Sequence, residues 1–187
     1  MKNIILASLS PRRKELLELL DLNFIVEVRE VDEVFPKSLD VTKVAEYLAK
    51  LKASAFTDIH ADQIVITADT VVILDKQILG KPKDKTEAAK MLQSLSNRSH
   101  RVITGVCMKS KDKIISFSNT TKVFFKELTS SEIEYYIENY KPFDKAGSYG
   151  IQEWIGAIGI TKIEGSYFNV VGLPIQELHK QLQDKYF

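Results

Sequence analysis

Short apolar runs and helical apolar stripes alternate along the chain, which predicts an α/β layered fold. Helices are predicted where apolar residues recur at helical spacing, at 11–20, 41–56 and 86–95, from 129 onwards and at 174–182. Strands are predicted at 4–7, 24–28, 63–74, 77–79, 101–108, 114–125, 154–163 and 167–171. Because turns join several neighbouring strands, we expect a mixed sheet that contains antiparallel as well as parallel pairs.

The longest apolar run, Gln63 to Leu74, is rich in β-branched residues and apolar on both faces, which predicts a central strand covered on both sides. Asp69 lies in the middle of this run, where a carboxylate without partners is costly to bury. It is a strand-end aspartate bonded to backbone amides, a metal ligand, or a general base. Thr70 follows on the opposite face of the strand, where it bonds a ligand or simply tolerates the pleat.

The turn between the first strand and the first helix carries an unusual charge pattern. Ser10 is the predicted N-cap and Pro11 occupies the first helical position. Arg12 and Arg13 then fill the first turn, where acids are preferred because the N-terminal end of a helix is positive. Either these arginines are solvated, or an anion lies in front of them. Helix N-termini and arginine both bind phosphate, so the arrangement favours a phosphate site.

Further candidate residues lie on the second helix and in three loops. Lys81 stands between a glycine and a proline, which aims its ammonium group. Lys52 lies off the apolar stripe of its helix and, taken alone, fits a solvated lysine. Glu33 belongs to an acidic loop that is either solvated or turned toward a hard cation. The loop 144–152 is an ordinary surface loop or a site for a planar polar group, which Gln152 could pair with.

Composition narrows the class of protein. The 187 residues are 44% hydrophobic and 27% charged, enough for one domain spanning 1–187, with two lobes around a cleft as the alternative. The net charge of +1 argues against binding to nucleic acid or membranes. No apolar run reaches the roughly 20 residues that span a bilayer, and no signal-peptide pattern is present, so we expect a cytoplasmic protein. Cys107, the single cysteine, is predicted to be buried.

Common catalytic motifs are absent from the sequence. It contains no Walker phosphate loop, no GxGxxG, no HExxH and no nucleophile elbow. The three histidines, His60, His100 and His179, have no metal-ligand spacing and are predicted to be structural or solvent-facing. These absences leave the aspartate in the central strand and the basic helix start as the main candidates for chemistry.

Five segments, in order along the chain, resemble the signatures of the Maf family of nucleotide pyrophosphatases. They are Ser8-Leu9-Ser10-Pro11-Arg12-Arg13, Ala68-Asp69-Thr70, Gly80-Lys81-Pro82, Asp144-Lys145-Ala146-Gly147-Ser148-Tyr149-Gly150-Ile151-Gln152 and Val171-Gly172-Leu173-Pro174. The resemblance implies a mixed-sheet α/β fold with a deep central cleft, related to inosine triphosphatases. It also implies hydrolysis of a nucleoside triphosphate to the monophosphate and pyrophosphate, with Mg²⁺ or Mn²⁺ as cofactor.

Carried over residue by residue, the resemblance implies a role for each candidate. Asp69 matches the catalytic acceptor of the family, and Glu33 matches an acidic residue near the metal, with Asp69 as the other metal-binding carboxylate. The residues matching phosphate-binding positions are Ser8, Ser10, Arg13, Lys52 and Lys81. Those matching positions tied to base choice are Arg12, Thr70 and Gln152.

The form of the late loop at 147–152 is similar to the branch of the family that acts on dTTP and UTP, rather than the branch that acts on 7-methyl-GTP. The chain departs from the family pattern in three places: Thr67 replaces a glycine, Leu51 replaces an acid, and Glu153-Trp154 replaces a smaller, glycine-rich continuation. The first two are expected to alter packing, and the third to bear on how the base pocket closes.

Other functions stay open. One is the same reaction on a purine or modified-base triphosphate, and another is a nucleotide-binding regulator of cell division that does not hydrolyse its ligand. A nucleic-acid-binding protein is disfavoured by the near-neutral charge and the lack of a basic and aromatic stripe. The expected partner is the nucleoside triphosphate alone, without nucleic acid or membrane, and the resemblance allows a homodimer.

Overall fold

The strands of the protein pair into one mixed sheet, which confirms the predicted fold class. A computed structural model describes residues 2–186. Within them the strands are β1 Asn3–Leu6, β2 Phe24–Val26, β3 Gln63–Leu74, β4 Gln77–Leu79, β5 Ser99–Lys109, β6 Ile114–Phe125 and β7 Ile160–Glu164. The sheet order is β2-β1-β3-β5-β6-β7, with β4 paired to β3. β1 is parallel to β2 and β3, whereas the β3–β4 and β6–β7 pairs are antiparallel.

Helices are interspersed among these strands. They are α1 Pro11–Glu18, α2 Val44–Ser54, α3 Lys85–Leu95, α4 Ser130–Tyr140, α5 Trp154–Gly159, α6 Tyr167–Val171 and α7 Ile175–Lys185, with short 3₁₀ turns at Val41–Lys43 and Ala146–Ser148. None of the helices found between residues 2 and 186 combines the length and apolar character needed to cross a membrane. The helix predicted at 41–56 is observed as the 3₁₀ turn Val41–Lys43 continued by α2.

The chain forms two compact units. The first contains the residues up to Thr70, Thr104–Asn119 and those from Gly172 onwards, and the second contains Val71–Ile103 and Thr120–Val171. Local signals read from the sequence are confirmed in both. Ser10 caps α1 by accepting a hydrogen bond from the backbone N–H of Arg13, and Thr129 caps α4 in a capping box with Glu132.

The first unit is organised around β3 and α2. β3 is buried at most of its positions, and Asp69 and Thr70 interrupt this burial as half-buried residues. α2 buries its face of Val44, Ala45, Leu48, Ala49 and Ala53. Cys107 of β5 is fully buried, as predicted, and packs in one cluster with Ala49 and Ala53. These contacts fix the helix that carries Lys52 against the strands of this unit.

The second unit corrects two strand predictions. Residues 154–159 form α5, because the Glu153 carbonyl accepts hydrogen bonds from the N–H groups of Gly156 and Ala157, and only β7 remains of the predicted strand at 154–163. Residues 167–171 form α6, where the Ser166 hydroxyl accepts a hydrogen bond from the Asn169 N–H at 3.3 Å. Short apolar runs fit a buried helix as well as a strand, so their periodicity could not decide between the two.

His100, in the core of the second unit, makes stability depend on pH. It is 2% exposed, stacks on Phe125, and places Nε2 2.6 Å from the Tyr149 hydroxyl. Burial lowers the pKa of His100 to about 4, whereas a histidine in the unfolded chain titrates near 6.5. The unfolded state therefore binds close to one extra proton between these values, and the free energy of unfolding falls as the pH falls through that window.

We therefore expect the wild-type protein to lose stability steeply between pH 6.5 and pH 4, and His100→Gln to lack that part of the loss. Urea unfolding at a series of pH values measures the slope. His179→Gln is the matched control, because His179 is exposed on α7. Equal slopes in the wild type and in His100→Gln would show that His100 is not held neutral by burial.

Candidate active site

Lys52 joins two acidic residues of the first unit. Its Nζ lies 2.6 Å from Oδ1 of Asp69 and 3.1 Å from Oε2 of Glu33. The side chains of Lys52 and Asp69 are only 17% and 14% exposed, while that of Glu33 is 52% exposed. A nearly buried carboxylate requires a partner, and Lys52 supplies it. Asp69 is thus bonded to a side chain, and the strand-end explanation through backbone amides is not needed.

The packing between α2 and β3 positions this ion pair. Thr67 is fully buried, and its hydroxyl donates a hydrogen bond to the Ala49 carbonyl of α2 at 2.7 Å. Lys52 lies one turn further along the same helix, and Asp69 lies two residues further along the same strand. Thr67, which departs from the family pattern, thus joins α2 to β3 through this hydrogen bond.

Arg13 is held in a fixed position at the start of α1. Its Nε donates to the Gly172 carbonyl at 2.9 Å, Nη2 to the Thr70 hydroxyl at 3.1 Å and Nη1 to the Ser8 hydroxyl at 3.4 Å. The Ser8 hydroxyl also accepts from the N–H of Ser10 at 3.2 Å. These bonds orient the guanidinium group in advance. The Arg13 side chain therefore loses less conformational entropy when an anion binds to it.

Arg13 and Asp69 also interact through their charges. Burial lowers the pKa of the Arg13 guanidinium, the Asp69 carboxylate acts against this, the adjacent Arg12 lowers it further and Glu33 raises it. Thr70 bonds Arg13 directly and follows Asp69 in β3. The first unit therefore links the basic helix start to the strand that carries Asp69, through the residue that follows it.

The sequence did not predict that two further residues, Thr104 and Gly172, contact the candidate site residues. Thr104 of β5 places its hydroxyl 2.9 Å from that of Thr70, which is thereby linked to both Arg13 and Thr104. Gly172 contributes a carbonyl, and it lies in a motif quoted for the resemblance, so a signal for it existed. Thr104 carried no signal, because a threonine in an apolar strand has no distinguishing pattern.

The remaining candidates lie in the second unit. Lys81 is exposed in the loop after β4, and the carbonyl of the preceding Gly80 accepts a hydrogen bond from the Gly147 N–H at 3.1 Å. This bond links the Lys81 loop to the loop that ends at Gln152. The Gln152 side chain is exposed and makes no hydrogen bond to any residue between 2 and 186. Its amide is available to a ligand.

Candidate metal ligands are few in the described part of the chain. Among residues 2–186, no three or more histidine, cysteine, aspartate and glutamate side chains come together as a metal site. Glu33 and Asp69 do lie close together, since each has a carboxylate oxygen within 3.1 Å of the same Lys52 ammonium. One or two carboxylates suffice for Mg²⁺ where substrate phosphates and water complete its shell. The donor set of Glu33 and Asp69 fits that kind of site.

The arrangement combines cationic groups that can bind an oxyanion with a carboxylate that can accept a proton. Lys52 lies 2.6 Å from Asp69, and the charge of the Asp69 carboxylate acts to raise the pKa of Arg13. Preorganised cations of this kind stabilise negative charge as a bond breaks. A carboxylate among them can orient or deprotonate a water molecule. The chemistry that this favours is hydrolysis of a phosphate ester or anhydride.

Comparison with solved structures supports the fold. The Ham1 protein of Staphylococcus aureus superposes with a TM-score of 0.50 and 18% sequence identity, covering 66% of this chain and 72% of that one. At that level of identity the likeness concerns the fold alone. It agrees with the mixed α/β sheet of this chain.

Comparison with curated proteins identifies the family of the chain. A protein of Flavobacterium psychrophilum named dTTP/UTP pyrophosphatase is 54% identical over 98% of this chain and 95% of its own length. A protein of the same name from Christiangramia forsetii is 53% identical over 97% and 93%. The family model described as "Maf-like protein" matches residues 3–185. The resemblance read from five short motifs is thus confirmed over nearly the whole sequence, and the chain belongs to the Maf family.

Proposed function

We propose that the protein is a nucleoside triphosphate pyrophosphatase that hydrolyses dTTP and UTP to the monophosphate and pyrophosphate. The observation that carries the reaction is the Lys52–Asp69 pair at 2.6 Å within the electrostatic reach of Arg13. The choice of dTTP and UTP is supported by relatives of that name at 53–54% identity. The general class is a hydrolase, and the narrower class is a triphosphate diphosphatase that cleaves between the α- and β-phosphates.

In the proposed mechanism, Asp69 orients and deprotonates the water molecule that attacks the α-phosphorus, and pyrophosphate leaves. Lys52 fixes the position of the carboxylate through its 2.6 Å contact. Arg13, aimed by Ser8, Thr70 and Gly172, binds phosphate oxygens and stabilises their charge in the transition state. Ser10 contributes through the turn that places the N–H groups of α1, and Lys81 is the further phosphate-binding cation.

We propose Mg²⁺ or Mn²⁺ as the cofactor, with Glu33 and Asp69 as the residues that would hold it. Such a cation supplies positive charge to the leaving pyrophosphate when it is bound. The proposal is supported by two carboxylates that share one ammonium group, which is the number of protein carboxylates commonly used for Mg²⁺ beside phosphates.

For base selection we propose Gln152, with Arg12 and Thr70. The primary amide of Gln152 has both a donor and an acceptor, and uracil and thymine present the complementary pair on one edge. The exposed, unbonded side chain of Gln152 supports this role. Thr70 acts through its hydrogen bond to Arg13, and Arg12 through its position beside Arg13 in α1.

Arg13→Ala is expected to raise the KM for dTTP and to lower kcat, with a loss in kcat/KM of about tenfold to a hundredfold, the scale of a hydrogen bond to a charged group. Steady-state pyrophosphate release measures both parameters. Arg98→Ala is the matched control, because Arg98 is exposed and bonds Asp75 on a surface turn. Unchanged kinetics in Arg13→Ala would remove the helix start from the site.

The decisive experiment is pyrophosphate release from a panel of natural and modified triphosphates, with Mg²⁺, with Mn²⁺ and with a chelator. We expect dTTP and UTP to be the best substrates and the chelator to abolish turnover. Fastest release from 7-methyl-GTP would refute the assigned bases. Binding without release would favour the regulator that does not hydrolyse its ligand.

A further inference from the structure

Glu153 directly follows Gln152, and its side chain contacts the loop 144–152. Its Oε1 lies 3.1 Å from Nζ of Lys145, and its Oε2 accepts a short hydrogen bond from the hydroxyl of Tyr136. The backbone carbonyl of Glu153 begins α5, but its side chain makes no cap bond to that helix. The carboxylate is therefore directed at the loop rather than at the helix.

The Lys145–Glu153 pair is a nearly buried ion pair. The side chain of Lys145 is 10% exposed and that of Glu153 is 20% exposed. Lys145 also contacts Asp144 at 2.8 Å. Breaking a buried pair by removing one charge is costly, because the other charge is left without its partner. The two ends of the loop 144–152 are thus joined by an interaction that resists opening.

Tyr136 connects this pair to the core. The residue is fully buried in α4, and its hydroxyl accepts a hydrogen bond from the Gly150 N–H at 3.0 Å while donating to Glu153. Burial, followed by the bond to Glu153, raises the pKa of the Tyr136 hydroxyl, so it stays protonated and remains a donor at neutral pH. A Cβ on Gly150 would lie 2.8 Å from Cδ of Glu153, which shows how closely the carboxylate covers this backbone.

α5 fixes the backbone on the other side of the carboxylate. A Cβ on Gly156 would lie 2.0 Å from the Ile151 carbonyl oxygen, so only glycine allows the first turn of α5 to pack on the residue before Gln152. Ile151 and Glu153 are therefore both immobilised, whereas the side chain of Gln152 between them is exposed. Glu153, which departs from the family pattern, supplies the carboxylate of this arrangement.

We propose that Glu153 is a positioning residue for base selection: held by Lys145 and Tyr136, it fixes the backbone around Gln152 and so the direction of the Gln152 amide. This inference rests on the proposed function, in which Gln152 pairs with the base. An amide held in one orientation distinguishes thymine, which has a 4-oxo acceptor, from cytosine, which has a 4-amino donor. A loosened amide can rotate and pair with either.

The test uses Glu153→Gln, which removes the charge at constant size, and Tyr136→Phe, which removes the hydroxyl and keeps the ring. The readout is the ratio of kcat/KM for dTTP to that for dCTP, together with the melting temperature. We expect the ratio to fall about tenfold in both variants, through KM more than kcat, the scale of one hydrogen bond to the base. Glu164→Gln, which removes an exposed partner of Lys162, is the matched control and keeps the ratio.

The same substitution in the background Gln152→Ala separates positioning from general damage. We expect the double variant to have the same ratio as Gln152→Ala alone, because no amide remains for Glu153 to orient. Equal losses for dTTP and dCTP, or losses in the ratio that add to those of Gln152→Ala, would overturn the inference. A wild-type enzyme that does not prefer dTTP to dCTP would instead refute the proposed function itself.

Discussion

Asp69→Asn is expected to lower the turnover of dTTP by about a hundredfold or more, the scale of a lost general base. Asparagine has the same shape as aspartate but cannot accept the proton of the attacking water. The fold should persist, because Lys52 keeps its contact with Glu33 at 3.1 Å and asparagine keeps the volume of aspartate. Pyrophosphate release under saturating dTTP measures the loss, and urea unfolding checks the fold.

Asp75→Asn is the matched control for this substitution. Asp75 lies on the exposed turn after the same strand, with a φ of 55° that asparagine tolerates. It bonds Arg98 at 2.8 Å and belongs to no part of the proposed site. We expect its turnover to equal that of the wild type. Near-normal turnover in Asp69→Asn would exclude Asp69 as the base, whatever its position among the cations.

Gly105→Ala is expected to destabilise the protein by about 3 kcal/mol, at the upper end of overpacking effects. A Cβ on this residue of β5 would lie 2.3 Å from the backbone N of Glu46 and 2.4 Å from the carbonyl carbon of Ala45. Both atoms belong to the backbone of α2, so no side chain can rotate away and the helix itself must shift. Lys52 lies on that helix, and turnover should therefore fall together with stability.

Urea unfolding at neutral pH measures this loss. Gly80→Ala is the matched control for stability, because a Cβ on Gly80 meets nothing within 4 Å. Its free energy of unfolding should stay within about 0.5 kcal/mol of the wild-type value, as for an exposed site without special backbone demands. An unchanged urea midpoint in Gly105→Ala would show that α2 can move away from β5 without loss of stability.

The residues of the site were predicted individually, but most of their contacts were not. Lys52 alone fitted a solvated lysine, yet it is the direct partner of Asp69 in the structure. The two residues are 17 positions apart, on a helix and a strand whose register no local pattern specifies. Arg13 was singled out because its charge opposes the helix dipole. Its partner Gly172, 159 positions away, became visible only in the folded chain.

Features whose causes are local follow from the amino-acid sequence alone. Ser10 and Thr129 cap helices because side-chain oxygens reach backbone N–H groups three residues on. Gln63–Leu74 is a covered strand because β-branched residues on both faces exclude water. The family, too, is encoded in the chain, as the match over residues 3–185 shows.

Features that depend on packing between distant segments became visible in the folded chain. Residues 154–159 became a helix rather than a strand because Gly156 can pack on the Ile151 carbonyl, a contact that apolar periodicity does not encode. The bonds among Lys145, Glu153 and Tyr136 likewise exist only once α4 and the loop are brought together. Helix caps and strands depend on residues that are close in sequence. Buried ion pairs form only where folding brings two distant segments together.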